Sequence, residues 1–161
     1  MFKSSMKILI VLMLSASILL MAYNEFMRVQ FVHQAKEVVN QQITCLAKNI
    51  FYEAAMEPYE GKLAVAQVTM NRTRNPQFPH TVCGVVYEKD QFSWVAEKHK
   101  GITDKYAWEE CVMIAKRALT EHKLHDTIYK TKSMYYHNTS VNPPWKLKYV
   151  AKIGNHLFYT R

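Results

Sequence analysis

Glycine and proline are scarce in this 161-residue chain, at four and five residues. That excludes a flexible linker array and a collagen-like repeat. There is no Gly-rich loop to cradle a phosphate, no Gly-x-Ser-x-Gly nucleophile elbow and no His-Glu-x-x-His pair. Cysteine is limited to Cys45, Cys83 and Cys111, with no Cys-x-x-Cys, so a zinc ribbon or thioredoxin-type motif is unsupported. Seven histidines are scattered; His122-x-x-His125 is the only close pair, and it fits an exposed basic helix end better than a metal site. Acidic residues are few, 13 against 21 Lys and Arg, a net charge of +8. Such a chain is drawn to something anionic, whether nucleic acid, acidic membrane or wall polymer. Removing Lys3 and Lys7 of the N-terminal segment still leaves +6.

What is present is one domain's length, 49% hydrophobic, with ten Tyr, seven Phe and three Trp. The long apolar run is N-terminal. Ile8 to Tyr23 carries no charge, and Ser15 and Ser17 are its only polar members. As a helix it is about 24 Å long, slightly short of a bilayer core of roughly 30 Å. Lys3 and Lys7 ahead of it favour a cytosolic N-terminus and an exported remainder. A cleavable signal has the same regions, but the small residues lie mid-run and Leu20-Met21-Ala22 suits a peptidase poorly. Residues 1–23 are therefore expected to be an uncleaved signal-anchor. In an exported domain two of the three cysteines can pair; all three pairings, and three buried thiols, remain open.

Residues 24–43 are polar, without Gly or Pro, and suggest a helical stalk or juxtamembrane linker. The domain proper is expected over 44–161, with Thr44 as a helix N-cap. Leu46, Ile50, Glu53 and Ala54 then share one helix face, and Pro58 ends the element. A second helix follows over EGKLAVAQVTMNRTRN, broken by Asn75-Pro76. Val82, Val85, Val86 and Tyr87 are β-prone, in a stretch equally suited to a loop. Trp108, Cys111, Val112, Ala115 and Leu119 mark a third helix, capped by Thr103 or Asp104. Gly154-Asn155 suits a hairpin turn between YVAKI and HLFYT. The predicted fold is mainly α, with a small C-terminal β-hairpin, behind an N-terminal transmembrane helix.

The richest chemistry lies around Glu53, Glu57 and Glu60. Glu53 shares its face with Leu46 and Ile50, so it points to a core or cleft. Burial raises a carboxyl's pKa, and a protonated carboxyl is a general acid. Glycosidic cleavage needs one, to protonate the leaving oxygen. The residue pattern alone also allows a structural ion pair. The aromatic groups QFSW (91–94) and YYH (135–137), with Pro143-Pro144-Trp145, are candidates for a sugar groove or for core.

The strings CLAKNIFYEAAMEPYEGKLAVAQVTMNR, TVCGVVYEKDQFSW, YYHN with V-x-P-x-W, and KIGNHLFYT resemble the cell wall hydrolase family typified by the spore-cortex-lytic enzyme SleB. Four blocks in order cover residues 44–160. The resemblance implies a compact lysozyme-like, lytic-transglycosylase-like domain acting on peptidoglycan. It gives Glu53 the role of the family's catalytic glutamate and aligns Glu57 with the second glutamate of that segment. Substrate contact is expected at Glu57, Glu60, Phe92, Trp94, Tyr136 and His137, with Glu57 and Glu60 also the candidates for a second carboxylate should the enzyme be a hydrolase. Three departures stand out. Ala55-Met56 replaces an Arg-Gly, Asp90 replaces a cysteine that Cys83 would otherwise pair with, and Asp126-Thr127 is all that remains of an Asp-Pro-Thr.

The expected reaction is cleavage between N-acetylmuramic acid and N-acetylglucosamine by a lytic transglycosylase. An N-acetylmuramoyl-L-alanine amidase and a non-catalytic, membrane-tethered wall-binding module are the alternatives. No cofactor, metal or nucleic acid is expected, and the chain is expected to be a monomer. It would be a single-pass protein of the cytoplasmic membrane with its catalytic domain outside, or secreted after cleavage or release. A short domain behind a weak anchor also resembles phage endolysins that wait in the membrane.

Overall fold

The structure is a computed structural model that describes residues 2–97 and 101–161, with side chains from residue 6 onward. The chain divides into two compact units, Met1–Val39 and Asn40–Arg161. The first is helical, and among its described side chains Met6 to Tyr23 leave their large apolar groups bare. This helix is long and apolar enough to cross a membrane, a property that anchors and signal sequences share.

Helix α1 spans Phe2–Ala54. Thr44 is therefore not an N-cap; its hydroxyl donates to the Asn40 carbonyl at 2.9 Å inside a continuing helix. Nothing in residues 24–43 can stop a helix, which is why the expected start was displaced. The last turns are core, with Leu46, Ala47 and Ile50 fully buried. Helix α2 (Tyr59–Thr73) follows Pro58. Its residues from Gly61 to Arg72 are all buried.

Two apolar clusters explain that burial. Leu63, Ala66 and Met70 pack with α1, with α3 (Val82–Val86), with Phe92 and Trp94, and with α4 (Lys105–Thr120). Ala64 and Val68 pack on Ile128 of α5 (Asp126–Lys130) and on Phe158 of the sheet. Helix α2 is thus a central helix with apolar partners on opposite faces, and its polar residues are buried with it. Each is satisfied. Gln67 Oε1 accepts from Leu124 N at 2.6 Å, and Asn71 Nδ2 donates to the Ile128 and Ser133 carbonyls at 3.0 and 2.9 Å.

The stretch around Val82 is helical rather than extended. Val82, Val85 and Val86 lie at i, i+3 and i+4 and face the core, and the Thr81 hydroxyl caps the turn by accepting from Gly84 N at 3.0 Å. A 3-10 turn, Ser93–Val95, follows. Asp104 caps α4 through Ala107 N at 3.0 Å. Cys45 and Cys83 form a disulfide joining α1 to α3, and Cys111 is free and buried.

The sheet has three strands rather than a lone hairpin. β1 (Tyr135–Asn138), β2 (Lys148–Ile153) and β3 (His156–Thr160) are ordered β1-β3-β2, all antiparallel. The Gly154-Asn155 turn joins β2 to β3, with Gly154 at φ +57°. Tyr136 pairs with Phe158, and Tyr135 with Tyr159. Strand alternation therefore sends Tyr136 to the core face and Tyr135 and His137 to the other.

Candidate active site

Glu53 lies on the last turn of α1, on the face that buries Leu46 and Ile50. It is half-buried, and Tyr136 of β1 donates its hydroxyl to Glu53 Oε2 at 3.1 Å. Tyr136 reaches it because it packs against both apolar clusters, its ring 5.5 Å from Phe158 and 5.1 Å from His156. Burial raises the Glu53 carboxyl above its ordinary value. The Tyr136 hydrogen bond and the Arg72 charge oppose that rise without cancelling it. The Tyr136 phenol is pushed well up by burial and then by the Glu53 charge, so it stays a donor. The geometry thus holds a carboxyl with a raised pKa beside a fixed hydroxyl.

Glu57 is four residues on and differently engaged. Its carboxylate accepts from Asn155 N at 2.8 Å and from Asn155 Nδ2 at 3.1 Å, which pins the β2–β3 turn. The carboxylate lies so close to Gly154 that a Cβ there would collide with Oε2. Glu60 is exposed, 3.8 Å from His125 Nε2. His122 lies elsewhere, 3.5 Å from Arg74 Nη2. Among the described residues, no three His, Cys, Asp or Glu side chains are grouped to hold a metal.

The aromatic residues divide. Phe92 and Trp94 are only 5% and 7% exposed, which leaves little ring surface for a sugar. Trp94 stacks on Tyr52 at 4.8 Å and donates Nε1 to Asn49 Oδ1 at 3.2 Å. Asn49 in turn donates to Thr69 Oγ1 at 3.2 Å, tying α1 to α2. These two rings support the helix end that carries Glu53. His137 is more open, stacked on Tyr159 at 5.2 Å with Nε2 3.0 Å from the Tyr159 hydroxyl.

Arg72 escaped the sequence reading. It is 6% exposed, and its guanidinium lies 5.3 Å from the ring centroids of both Phe78 and Phe92. Nε donates to the Met134 carbonyl at 2.8 Å, and Nη1 is buried without a partner. Burial lowers its pKa, while Tyr136, Tyr135, Glu88 and Glu53 support the charge. The available signal was LAVAQVTM, an uncharged run too uniformly apolar for a one-sided helix. A helix buried all round carries its terminal Arg inside as well.

Comparison with known proteins agrees with this fold. Residues 56–159 match the Cell Wall Hydrolase family model. The spore cortex-lytic enzyme of Bacillus subtilis (strain 168) is 32% identical over 122 residues, 74% of this chain and 37% of that protein. The one from Oceanobacillus iheyensis is 32% identical over 119 residues, 72% of this chain and 40% of that protein. The chain thus spans about two fifths of the length of these relatives. Among solved structures, the catalytic domain of the germination-specific lytic transglycosylase SleB from Bacillus anthracis superposes with a TM-score of 0.61 at 30% identity. That match covers 74% of this chain and 93% of the SleB domain. The Bacillus cereus SleB catalytic domain gives 0.59 at 28%, covering 75% and 91%. The helical core, the three-stranded sheet and the matched residues together place this chain in the cell wall hydrolase family.

Proposed function

We propose that the chain is a peptidoglycan lytic transglycosylase with Glu53 as its one catalytic carboxylate. The observation that carries this reading is the half-buried Glu53 carboxyl, raised by burial and hydrogen-bonded to Tyr136. The matched SleB domain, itself described as a lytic transglycosylase, supports it.

Protonated Glu53 gives its proton to the oxygen linking N-acetylmuramic acid C1 to N-acetylglucosamine. The C1–O bond breaks, and positive charge develops at C1. Glu53, now a carboxylate, takes the proton of the muramoyl 6-hydroxyl. That oxygen closes on C1 to give a 1,6-anhydro ring, and Glu53 is protonated again. No water is activated, so one carboxylate suffices. Glu57, held by the Asn155 turn, is not needed as a second. Tyr136 orients Glu53, and the exposed edge of His137 is a candidate sugar contact.

In this reading residues 1–23 anchor the chain in the cytoplasmic membrane, 24–43 form a stalk and 44–161 act as a monomeric catalytic domain outside the membrane. The test is mass spectrometry of fragments released from purified peptidoglycan by the detergent-solubilised chain. Glycan ends in 1,6-anhydromuramic acid are expected. Reducing muramic ends would replace the reading with a hydrolase, free stem peptides with an amidase, and no release with a binding module.

A further inference from the structure

A cavity of about 540 Å³ is lined by Tyr136, the residue whose hydroxyl holds the Glu53 carboxyl. Tyr136 thus connects the two. The lining includes three cations, Arg72, Lys146 and Arg161, against one acid, Asp90. Trp145, 44% exposed, forms part of the wall, its ring 6.3 Å from that of Tyr135 and 5.5 Å from that of His137.

Arg72 is the unusual member. A buried charge ordinarily has a paired partner, yet among the described residues Arg72 enters no ion pair and its side chain makes one hydrogen bond, to a carbonyl. Phe78 and Phe92 fix the plane of its guanidinium. A fixed, partner-poor guanidinium on a cavity wall attracts a carboxylate by its charge, with Nε already bonded to Met134 and Nη1 buried. Arg161 stands on the same cavity, its guanidinium 5.9 Å from the Tyr135 ring.

This inference rests on the peptidoglycan reading above. The N-acetylated sugars of the glycan carry no charge. The acid groups nearest the scissile bond belong to the peptide attached through the lactyl ether of N-acetylmuramic acid. We propose that the cavity is a subsite for that acidic stem peptide, with Arg72 and Arg161 binding its carboxylates and Trp145 its apolar portion. The enzyme would then favour peptide-bearing strands over bare ones.

The experiment compares two soluble glycan oligomers of equal length, one carrying stem peptides and one stripped of them by an amidase. Affinity is measured by calorimetry for the full chain in detergent, in a Glu53→Gln background that does not turn the ligands over. About tenfold tighter binding of the peptide-bearing strand is expected, with the preference shrinking as salt is raised. Arg161→Gln with Lys146→Gln, both exposed positions, should bring the ratio of the two affinities near one. Arg72→Lys, which keeps the charge but places it on a flexible stem instead of a fixed plane, should also reduce the ratio. Equal affinities in the parent, or a preference that survives the paired exposed substitutions, would overturn the subsite. A peptide preference in binding, with no glycan fragments released by the unsubstituted chain, would support the subsite and sink the catalytic reading. Fragment release with no preference would do the reverse.

Discussion

Glu53 and Glu57 stand four residues apart, and the regions around them were built to different ends. Around Glu53 the chain buries a carboxyl and gives it one tyrosine hydroxyl. Around Glu57 it gives a carboxylate two N–H donors and folds a turn over it. Burial with few donors favours the protonated form; charge-assisted bonds hold a carboxylate in place as structure. The difference teaches that proximity in sequence does not make two acids a catalytic pair. In the proposed reaction one does the proton transfer, and the other holds the β2–β3 turn.

Exchanging the two carboxyls' fates should break that contrast. Glu53→Gln is expected to lower the rate of glycan cleavage by about 10²–10⁴-fold, the usual share of a general acid, with the thermal midpoint nearly unchanged. Glu57→Ala should do the opposite. Thermal or denaturant unfolding should show about 1–3 kcal/mol lost with two hydrogen bonds, while muropeptide release stays within a few-fold.

Cys83→Ser separates scaffold from site further. Opening a disulfide between residues 38 apart removes about 3–4 kcal/mol in the chain-entropy view. Denaturant midpoints under oxidising conditions should show it, and dithiothreitol should make the parent chain match the variant.

Tyr136→Phe sharpens the account of Glu53 itself. The lost hydrogen bond had favoured the carboxylate, so the Glu53 pKa should rise further. Activity that needs protonated Glu53 falls as pH rises through that pKa. The basic limb of kcat/KM should therefore move to higher pH in the variant; movement to lower pH would contradict the assignment.

The smallest expected effect comes from His156, buried behind Tyr136 with its pKa lowered by desolvation. The unfolded chain takes up this proton below about pH 6.5, while the folded chain resists it. Stability should be fully present above that pH and decline as pH falls through it. His156→Gln should flatten this part of the stability curve.

Much of this was legible from local pattern. Helices α2 and α4 announce themselves by spacing and by their breaker and cap, and the hairpin by Gly154-Asn155. Glu53 stood out because its helix face is otherwise apolar. What escaped depends on distant partners. The three cysteines left every pairing open, and only the approach of α3 to α1 joins Cys45 to Cys83. β1 is four residues without a turn signal, and becomes a strand by pairing with β3. Phe92 and Trp94 read equally as groove or core until α1 and α2 close over them. Arg72 was hidden because a residue's environment on a central helix is set by both faces at once.

The central claim is that folding holds Glu53 as a proton donor. Its most direct test is a carbon-13 NMR titration of side-chain carboxyls in the glutamate-labelled full chain in detergent, with Glu53→Gln identifying the resonance. The account predicts that Glu53 titrates above the ordinary glutamate range. Titration at or below that range would contradict it.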